Sequence, residues 1–232
     1  MLYLNSTYGP TAALLIANQY PVSAFSSTPF PAFYTLVQVY TEANFWCSAY
    51  AGLNKAAQNG VPVWTYRFGQ SPTCPWYNNF GAEVLPIFGA AHTAEIPFVF
   101  ANVDNNPPAN PACQFTDAEK SLSRELVGFW TSMAAVGNPG DGWPGYTTDG
   151  TTGINVINGS SSVTPGMVDY SVCDFWTQVS DAVSADSSAS ATSSGTSSTA
   201  VATYTGGAKS MVAQISYVVT IAAMLGVLMF AM

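Results

Sequence analysis

Residues 116–140 read TDAEKSLSRELVGFWTSMAAVGNPG, and this stretch predicts one amphipathic helix with a defined start and a defined end. Thr116 and Glu119 have the spacing of a capping box, in which each side chain satisfies a backbone amide of the first turn. Gly137 is placed to end the helix, and Pro139 cannot continue it. The predicted apolar face repeats at helical spacing and consists of Leu122, Leu126, Phe129, Trp130 and Met133.

Helices and strands alternate on both sides of this helix. Apolar periodicity and turn residues predict helices over residues 11–21, 33–60 and 170–183. The second of these is long enough to be two helices. β-rich composition predicts a buried strand over residues 61–69 and another over residues 153–157. This alternation predicts an α/β fold rather than a β-sandwich.

The composition limits the class of protein and its partners. Hydrophobic residues make up 48% of the 232 residues and aromatic residues 13%, which excludes disorder over the whole chain. Only 8% of residues are charged, and the net charge of -8 opposes binding to nucleic acid or to an anionic lipid surface. We therefore exclude nucleic acid as a partner and expect Ser, Thr, Asn and Gly, with attached sugar, to solvate the surface.

The cysteines indicate an oxidising compartment. Cys47, Cys74, Cys113 and Cys173 are widely spaced and lack the C-x-x-C pairing of a zinc site, so we predict disulfides and no metal. Two N-glycosylation sequons agree with that compartment, one at Asn5-Ser6-Thr7 and one at Asn158-Gly159-Ser160.

The composition changes after residue 179. Residues 180–205 are almost entirely Ser, Ala, Thr, Val, Asp and Gly, which predicts an extended, O-glycosylated stalk. Residues 215–232 then form a run of 18 residues without a charge. Small residues, a short spacer and a terminal apolar tail are typical of a GPI-attachment signal over residues 206–232, with Gly206 as the predicted acceptor. The alternative is a tail-anchored or single-pass membrane helix.

GPI attachment takes place in the lumen of the endoplasmic reticulum, so the protein needs a signal peptide. The first 21 residues lack a basic n-region and contain only a broken apolar run, and so do not resemble one. Two expectations remain open: either Met1 is an internal residue of a longer chain, or the C-terminal tail is not an anchor signal.

His92 is the only histidine, and it lies in the segment GAAHTAEIPFVF, residues 89–100. A lone histidine is more often structural than catalytic. A loop rich in Gly and Ala, however, lets an imidazole project freely, and catalytic groups are frequently carried on loops. A pKa near 6.5 makes imidazole the usual general base at neutral pH. His92 is therefore the candidate catalytic residue.

Four segments occur in a fixed order along the chain: GAAHTAEIPFVFANV from residue 89, TDAEKSLSRELVGFWTSMAAVGNPG from residue 116, GWPGY from residue 142 and CDFW from residue 173. Together they resemble the C-terminal part of the type B carboxylesterase family, which includes cholinesterases and lipases on the α/β-hydrolase fold. In that family the triad histidine lies in His-Gly-x-Glu-(Ile/Leu)-x-(Phe/Tyr)-Val-Phe. A helix with Leu-Ser-x-x-(Leu/Met)-x-x-(Phe/Tyr)-Trp and Gly-Asn-Pro follows, and then Trp-Pro-x-(Tyr/Phe). The matching residues are His92, Glu95, Ile96, Phe98, Val99, Phe100, Leu122, Ser123, Phe129, Trp130, Gly137, Asn138, Pro139, Trp143, Pro144 and Tyr146.

The resemblance covers roughly residues 10–178 and implies that residues 1–179 are the C-terminal portion of an α/β-hydrolase domain. It implies that His92 deprotonates a serine and then reprotonates the alcohol leaving group. Glu95 would fix the loop, although a surface carboxylate is the alternative. Thr93 stands where the family usually has glycine, and a β-branched residue there narrows the permitted backbone angles. The implied substrate is a small-molecule or lipid ester, with no cofactor.

Resemblance to the cholinesterase branch also implies a disulfide between Cys47 and Cys173. Cys74 would then pair with Cys113 and close a loop across the His92 segment. Each bond would stabilise the fold by roughly 4 to 5 kcal/mol on the chain-entropy model. The alternative is that one pair is free and buried.

The rest of a catalytic triad is not found in this sequence. No G-x-S-x-G elbow occurs, and neither Glu42 nor Glu83, the two carboxylates before His92, lies in the family's acid motif. We therefore expect the C-terminal portion of a secreted, GPI-anchored carboxylesterase or lipase that contributes His92 and is inactive alone. The alternative is a noncatalytic, GPI-anchored cell-surface adhesion or structural glycoprotein on the same fold.

Overall fold

The computed structural model describes residues 1–76, 81–104, 113–148 and 152–192. These residues form a helix-rich structure with a small sheet. The chain divides into two compact units, one made of residues 1–45 with the chain from Val172 onward, and the other of Trp46–Ser171. The helices are α1 Leu2–Tyr8, α2 Pro10–Gln19, α3 Pro31–Thr41, α4 Cys47–Gln58, α5 Leu85–Phe88, α6 Ile96–Val99, α7 Asp117–Val136 and α8 Val172–Thr192. The strands are β1 Tyr66–Phe68, β2 Thr152–Val156 and β3 Thr164–Met167.

The first unit is helical and contains α1, α2, α3 and α8. The predicted helix over residues 11–21 is confirmed as α2, which packs against α8 and buries Ala12, Ala13 and Ile16 completely. Their small and branched side chains let the two helices approach closely. Trp176 of α8 is buried in the same unit, and its indole nitrogen donates a hydrogen bond of 2.9 Å to the Tyr20 hydroxyl.

The predicted helix over residues 33–60 is two helices, α3 and α4, joined by a π turn over Glu42–Trp46. Glu42 is held at this turn because its carboxylate accepts hydrogen bonds from Gln38 Nε2, at 2.9 Å, and from the Tyr20 hydroxyl. Burial, followed by the bond to Glu42, raises the pKa of Tyr20. The Glu42 carboxylate is thus engaged in hydrogen bonds within the helical unit.

Helix α8 continues through Thr192, and this corrects the prediction that an extended stalk begins at Ser180. Serine side chains inside the helix bond carbonyls one turn earlier: Ser184 Oγ donates to Ser180 O at 3.0 Å, and Ser187 Oγ donates to Val183 O at 2.8 Å. Asp186 accepts hydrogen bonds from the backbone and the hydroxyl of Thr11, at 3.2 and 2.8 Å, so α2 supports this part of α8. The prediction rested on the small apolar surface that this segment can bury, and it did not include the polar contact between Asp186 and Thr11.

The remainder of the predicted stalk, residues 193–205, lies outside the described residues, as does the predicted GPI signal over residues 206–232 with Gly206. Among the helices that the structure does describe, none has both the length and the apolar character needed to cross a bilayer.

The second unit contains the sheet, in which β1 pairs parallel to β2 and β2 pairs antiparallel to β3. Tyr66 lies opposite Ile154 in the parallel pair. The strand predicted over residues 61–69 is present but shorter, since β1 contains three residues. It is only half-buried, because Arg67 is exposed. The Arg67 guanidinium lies 5.7 Å from the centre of the Trp46 ring. The strand predicted over residues 153–157 is confirmed as β2.

Helix α7 contributes residues to the core of this unit, and its predicted start and end are both confirmed. Thr116 and Glu119 form the capping box, and Gly137 adopts a left-handed conformation with φ 72°. Leu122 and Leu126 are buried, whereas Trp130 is 37% exposed at the margin of the apolar face. The core of this unit consists of Cys74, Phe98, Val103, Phe115, Leu122, Leu126, Phe129, Trp143, Ile154, Val156 and Val163.

The Trp-Pro motif after α7 is fixed by two polar contacts. The indole nitrogen of Trp143 donates to the Thr65 carbonyl at 2.9 Å, and the Tyr146 hydroxyl donates to Asn54 Oδ1 at 2.6 Å. Trp143 and Tyr146 are both buried, so these bonds satisfy polar atoms that water cannot reach. The motif thereby joins the loop after α7 to residues that precede β1 and to α4.

Candidate functional site

His92 lies in the turn between α5 and α6, and its side chain is exposed. Gly89 ends α5 with a positive φ of 57° and ψ of -135°, a combination that glycine adopts without steric cost. Two hydrogen bonds then close the turn, one from Ala94 N to Ala91 O at 3.0 Å and one from Ile96 N to Thr93 O at 3.1 Å. The loop that was predicted to project is therefore a compact turn, and the His92 side chain is exposed on it.

Buried residues anchor the turn immediately after His92. Ala94 and Phe98 are both completely buried. The Phe98 ring makes edge-to-face contacts with Phe68, at a centroid distance of 5.3 Å, and with Phe115, at 6.0 Å. Moving the imidazole with its backbone would therefore disturb the core of this unit.

Thr93 has an unusual backbone conformation, with φ 72°. The sequence predicts that a β-branched residue here narrows the permitted angles, and the structure shows Thr93 in the left-handed region all the same. For such a residue this conformation costs about 1 to 3 kcal/mol. The hydroxyl of Thr93 donates to the carbonyl oxygen of His92 and accepts a hydrogen bond of 3.0 Å from Trp76 Nε1.

Glu95 is half-buried at the start of α6 and makes no capping bond with its side chain. Burial, followed by the charge of Glu95, raises the pKa of Tyr66, which places this carboxylate in the electrostatic environment of β1. The loop-fixing role inferred from the family resemblance stays a prediction.

Cys74 and Cys113 form a disulfide, with an S–S distance of 2.04 Å. Cys47, the first residue of α4, and Cys173, in α8, are also disulfide-bonded. None of the four cysteines is free, so the alternative of a free, buried pair is wrong.

Glu119 makes hydrogen bonds beyond the capping box that its spacing predicts. Its carboxylate is 2% exposed and accepts hydrogen bonds from the Thr73 backbone at 2.8 Å, from the Thr73 hydroxyl at 2.5 Å and from the Thr116 backbone at 2.8 Å. The start of α7 is thereby tied to the segment that leads through Cys74 to Trp76. Sequence reasoning identified neither this link nor Trp76, whose only local signal is a tryptophan two residues after a cysteine.

The two sequons lie in different local structures. Asn158 is exposed in a turn after β2, and its Oδ1 accepts a hydrogen bond of 2.9 Å from the Ser71 backbone. Asn5 is exposed on α1, where residues two apart do not face each other. No cluster of His, Cys, Asp and Glu capable of holding a metal occurs in the described part of the chain.

An exposed imidazole on an anchored turn can take a proton from one group in solvent and return it to another. It needs a nucleophile to form a covalent intermediate. The sequence shows no serine on a G-x-S-x-G elbow to supply one.

Comparison with known proteins identifies relatives of this chain. The para-nitrobenzyl esterase of Bacillus subtilis (strain 168) is 33% identical over 141 residues, covering 60% of this chain and 24% of that protein. The acetylcholinesterase of Gallus gallus is 30% identical over 141 residues, covering 58% of this chain and 17% of that protein. The chain thus spans a quarter or less of the length of these curated relatives.

Solved structures agree on the fold. A thermophilic PNB esterase superposes with a TM-score of 0.54 at 26% identity, covering 75% of this chain and 32% of the other. A second PNB esterase structure has a TM-score of 0.51 at 28% identity. These esterases have the α/β-hydrolase fold, which supports the α/β-hydrolase part of the predicted fold class. The model of the carboxylesterase family matches residues 14–176, a range that includes His92 and all four cysteines. This chain belongs to the carboxylesterase family.

Proposed function

We propose that this chain is the part of a carboxylic ester hydrolase that carries the catalytic base, and that the base is His92. The observation that carries the proposal is the exposed imidazole on a turn whose following residues, Ala94 and Phe98, are fixed in the core. Family membership supplies the reaction class, because relatives of this chain are para-nitrobenzyl esterase and acetylcholinesterase.

The proposed reaction is acyl transfer in two halves. In the first, the unprotonated ring nitrogen of His92 takes the proton of a serine hydroxyl as the serine oxygen bonds to the ester carbonyl carbon. The same proton passes to the leaving alcohol as the ester C–O bond breaks. In the second half, His92 takes a proton from water as the water oxygen bonds to the acyl carbon of the acyl-serine. It returns that proton to the serine oxygen as the acyl–serine C–O bond breaks and the carboxylic acid leaves.

The serine, its oxyanion hole and the acid that orients His92 come, on this proposal, from polypeptide outside these 232 residues. A base without a nucleophile performs no acyl transfer, so we expect the chain alone to be inactive toward esters. The substrate class is a small-molecule or lipid ester.

The test begins with the gene. The genomic sequence upstream of the Met1 codon is read for an in-frame G-x-S-x-G elbow and a signal peptide, and the longest product is expressed. Its hydrolysis of p-nitrophenyl acetate and p-nitrophenyl butyrate is measured with His92→Ala and His92→Gln. We expect both substitutions to lower kcat by about 10⁴-fold or more, since removal of a triad member has effects of that order.

A matched substitution separates loss of the base from loss of the fold. Asn155→Ala removes a half-buried polar side chain from β2, one that donates to Met167 O at 3.0 Å. It should retain ester hydrolysis. Undiminished hydrolysis by both His92 variants would remove the assigned base.

A noncatalytic surface protein on the same fold is the second candidate, and the sequence observation that favours it is the missing serine elbow. The two candidates differ in one measurement. If the longest product contains no elbow serine and hydrolyses neither ester, the adhesion or structural reading replaces the hydrolase reading.

We further propose that the protein reaches the cell surface and is held there by a GPI anchor attached at or near Gly206. Support comes from the tail sequence of residues 206–232, from the disulfides and from the exposed sequon at Asn158. Release from membranes by a phosphatidylinositol-specific phospholipase is the expected result, and resistance to it would favour a spanning helix. Asn158→Gln should increase gel mobility if that sequon carries a glycan.

A further inference from the structure

We propose that Thr93 and Trp76 are positioning residues for His92: the Trp76 indole holds the Thr93 hydroxyl, and that hydroxyl holds the backbone that carries the imidazole. The inference rests on the proposed function, because positioning matters to catalysis only if His92 is the base. It concerns a residue in which this chain departs from the glycine usual in the family motif.

The backbone at position 93 gives the first argument. A threonine with φ 72° is in a conformation that β-branched residues rarely adopt. Such strain persists where surrounding contacts fix it, and it concentrates at functional sites. Glycine would adopt the same angle without steric cost, so the threonine side chain must contribute something that glycine lacks.

The hydroxyl gives the second argument. A threonine hydroxyl has one proton to donate and lone pairs to accept. Here the proton goes to the carbonyl of His92, and a lone pair accepts the indole N–H of Trp76 at 3.0 Å. One side chain therefore connects the backbone of the base to a residue 17 positions earlier in the chain.

Trp76 is itself held in place. The disulfide from Cys74 to Cys113 lies two residues before it. Thr73, one residue further back, donates two hydrogen bonds to the buried carboxylate of Glu119. A continuous series of bonds thus runs from the start of α7 to the turn that presents the imidazole.

The expected effect on catalysis follows from this geometry. Without the hydroxyl, the strained residue loses its two side-chain hydrogen bonds and keeps its backbone bond from Ile96 N, so the turn before Ala94 is held less firmly. The imidazole then spends less time in its productive position, although the ester-binding surface is unchanged. We therefore expect kcat to fall and KM to stay nearly constant, because misplacement of a catalytic group affects the transition state more than binding.

The experiment uses the active longest product with Thr93→Val, Thr93→Ser and Trp76→Phe. Valine keeps the β-branched shape and removes only the hydroxyl. We expect Thr93→Val and Trp76→Phe each to lower kcat by about tenfold with KM changed less than about twofold. The double variant should be no worse than the Thr93→Val variant, and Thr93→Ser should restore most of kcat. Thr131→Val is the matched control, since the Thr131 hydroxyl bonds two carbonyls of its own helix, at 2.7 and 3.1 Å.

A second readout needs no catalysis. It is made on the 232-residue chain rather than on the longest product, because His92 is the only histidine of these 232 residues and its imidazole proton resonances are then assigned without further labelling. Thr93→Val and Trp76→Phe should shift and broaden them, and Thr131→Val should not. This measurement also serves if one variant folds poorly, because the other removes the opposite partner of the same bond.

The outcomes separate the two proposals. If His92→Ala abolishes hydrolysis while Thr93→Val and Trp76→Phe leave kcat and the imidazole resonances unchanged, the positioning role is wrong and the proposed function stands. If His92→Ala leaves hydrolysis unchanged, the proposed function falls, and with it any catalytic meaning of the Thr93 contact. A KM increase with unchanged kcat would also overturn the positioning role, because it would place the effect on binding.

Discussion

Ser123 Oγ donates a hydrogen bond of 2.7 Å to the carbonyl oxygen of Phe98, in a buried environment. The bond joins the middle of α7 to α6, the short helix that follows the His92 turn. Ser123 is 1% exposed, so no water replaces it as the donor. The serine of the Leu-Ser motif therefore has a structural explanation: it fixes the helix on which the core anchor Phe98 lies.

Replacement of Ser123 by alanine should destabilise the fold. The Phe98 carbonyl would lose its side-chain donor, and an unsatisfied buried acceptor costs about 1 to 3 kcal/mol. Urea unfolding followed by tryptophan fluorescence measures the change. The matched control is Ser132→Ala, which removes an exposed hydroxyl that bonds Asn138 O at 2.7 Å. Equal losses for the two variants would contradict the interpretation.

Glu119→Gln should also be costly, although the two side chains have nearly the same shape. An amide offers one acceptor oxygen where the carboxylate offers two, and both oxygens of Glu119 accept hydrogen bonds. We expect a loss of about 1.5 to 3 kcal/mol, as for a hydrogen bond to a charged group.

Asp117→Asn is the control for Glu119→Gln, since Asp117 is an acidic residue of the first turn of α7 and has an exposed side chain. It should cost no more than about 1 kcal/mol, the usual contribution of a charge near a helix start. Urea midpoints at constant m-value distinguish the two changes. A loss from Glu119→Gln no greater than that from Asp117→Asn would show that the link to Thr73 contributes nothing.

How far the sequence predicts the structure depends on whether the signals are local. Helix α7 begins and ends where predicted because its capping box and its terminal glycine are contained in the segment itself. Strand β3 was not predicted, because Pro165 and Gly166 are poor strand formers. Proline is tolerated there because β3 is paired on one side only among the described strands.

In the candidate site, as in the fold, the sequence predicts features with local signals and misses contacts between distant segments. A motif and its residue order predict His92 as the catalytic base, and the structure places it in an exposed turn. The bond between Trp76 and Thr93 has no such motif, because it depends on where two separate segments meet in space. The contact between Asp186 and Thr11 is a comparable case, since it joins two separate segments and lies in a part of α8 whose composition resembles a stalk.

The disulfide between Cys74 and Cys113 should contribute substantial stability. It closes a loop with a sequence separation of 39, which corresponds to about 4 kcal/mol on the chain-entropy model. The Cys74→Ser, Cys113→Ser double variant should therefore unfold at a clearly lower temperature. Replacing both residues leaves no reactive thiol at either position. Cys47 and Cys173 stay disulfide-bonded in this variant, whereas chemical reduction would reduce them as well.

The same double variant tests the support of Trp76. If the disulfide fixes the segment before the indole, the imidazole resonances of His92 should broaden at temperatures well below unfolding. Sharp, unshifted resonances together with a lowered unfolding temperature would assign the disulfide a role in stability alone.

Alkaline pH should destabilise the protein through buried tyrosines. Burial, followed by the nearby Tyr50 and Tyr170, raises the pKa of Tyr146 to about 12 from the ordinary value of 10.0. The folded state therefore keeps a proton that the unfolded chain has already lost. The stabilisation from this group is fully present below pH 10 and is lost as the pH rises toward about 12.

Tyr146→Phe isolates this contribution. At pH 8 the variant should be less stable than the wild type, because it lacks the bond from the hydroxyl to Asn54. Between pH 10 and pH 12 the wild type should lose stability faster than the variant, since phenylalanine has no proton to release, so the difference between them should shrink. Urea unfolding at pH 8, 10 and 11 measures this difference, with Tyr40→Phe, at a side chain that is 45% exposed, as the control. A difference that stays constant over this range would mean that the Tyr146 phenol ionises equally well in the folded and unfolded states.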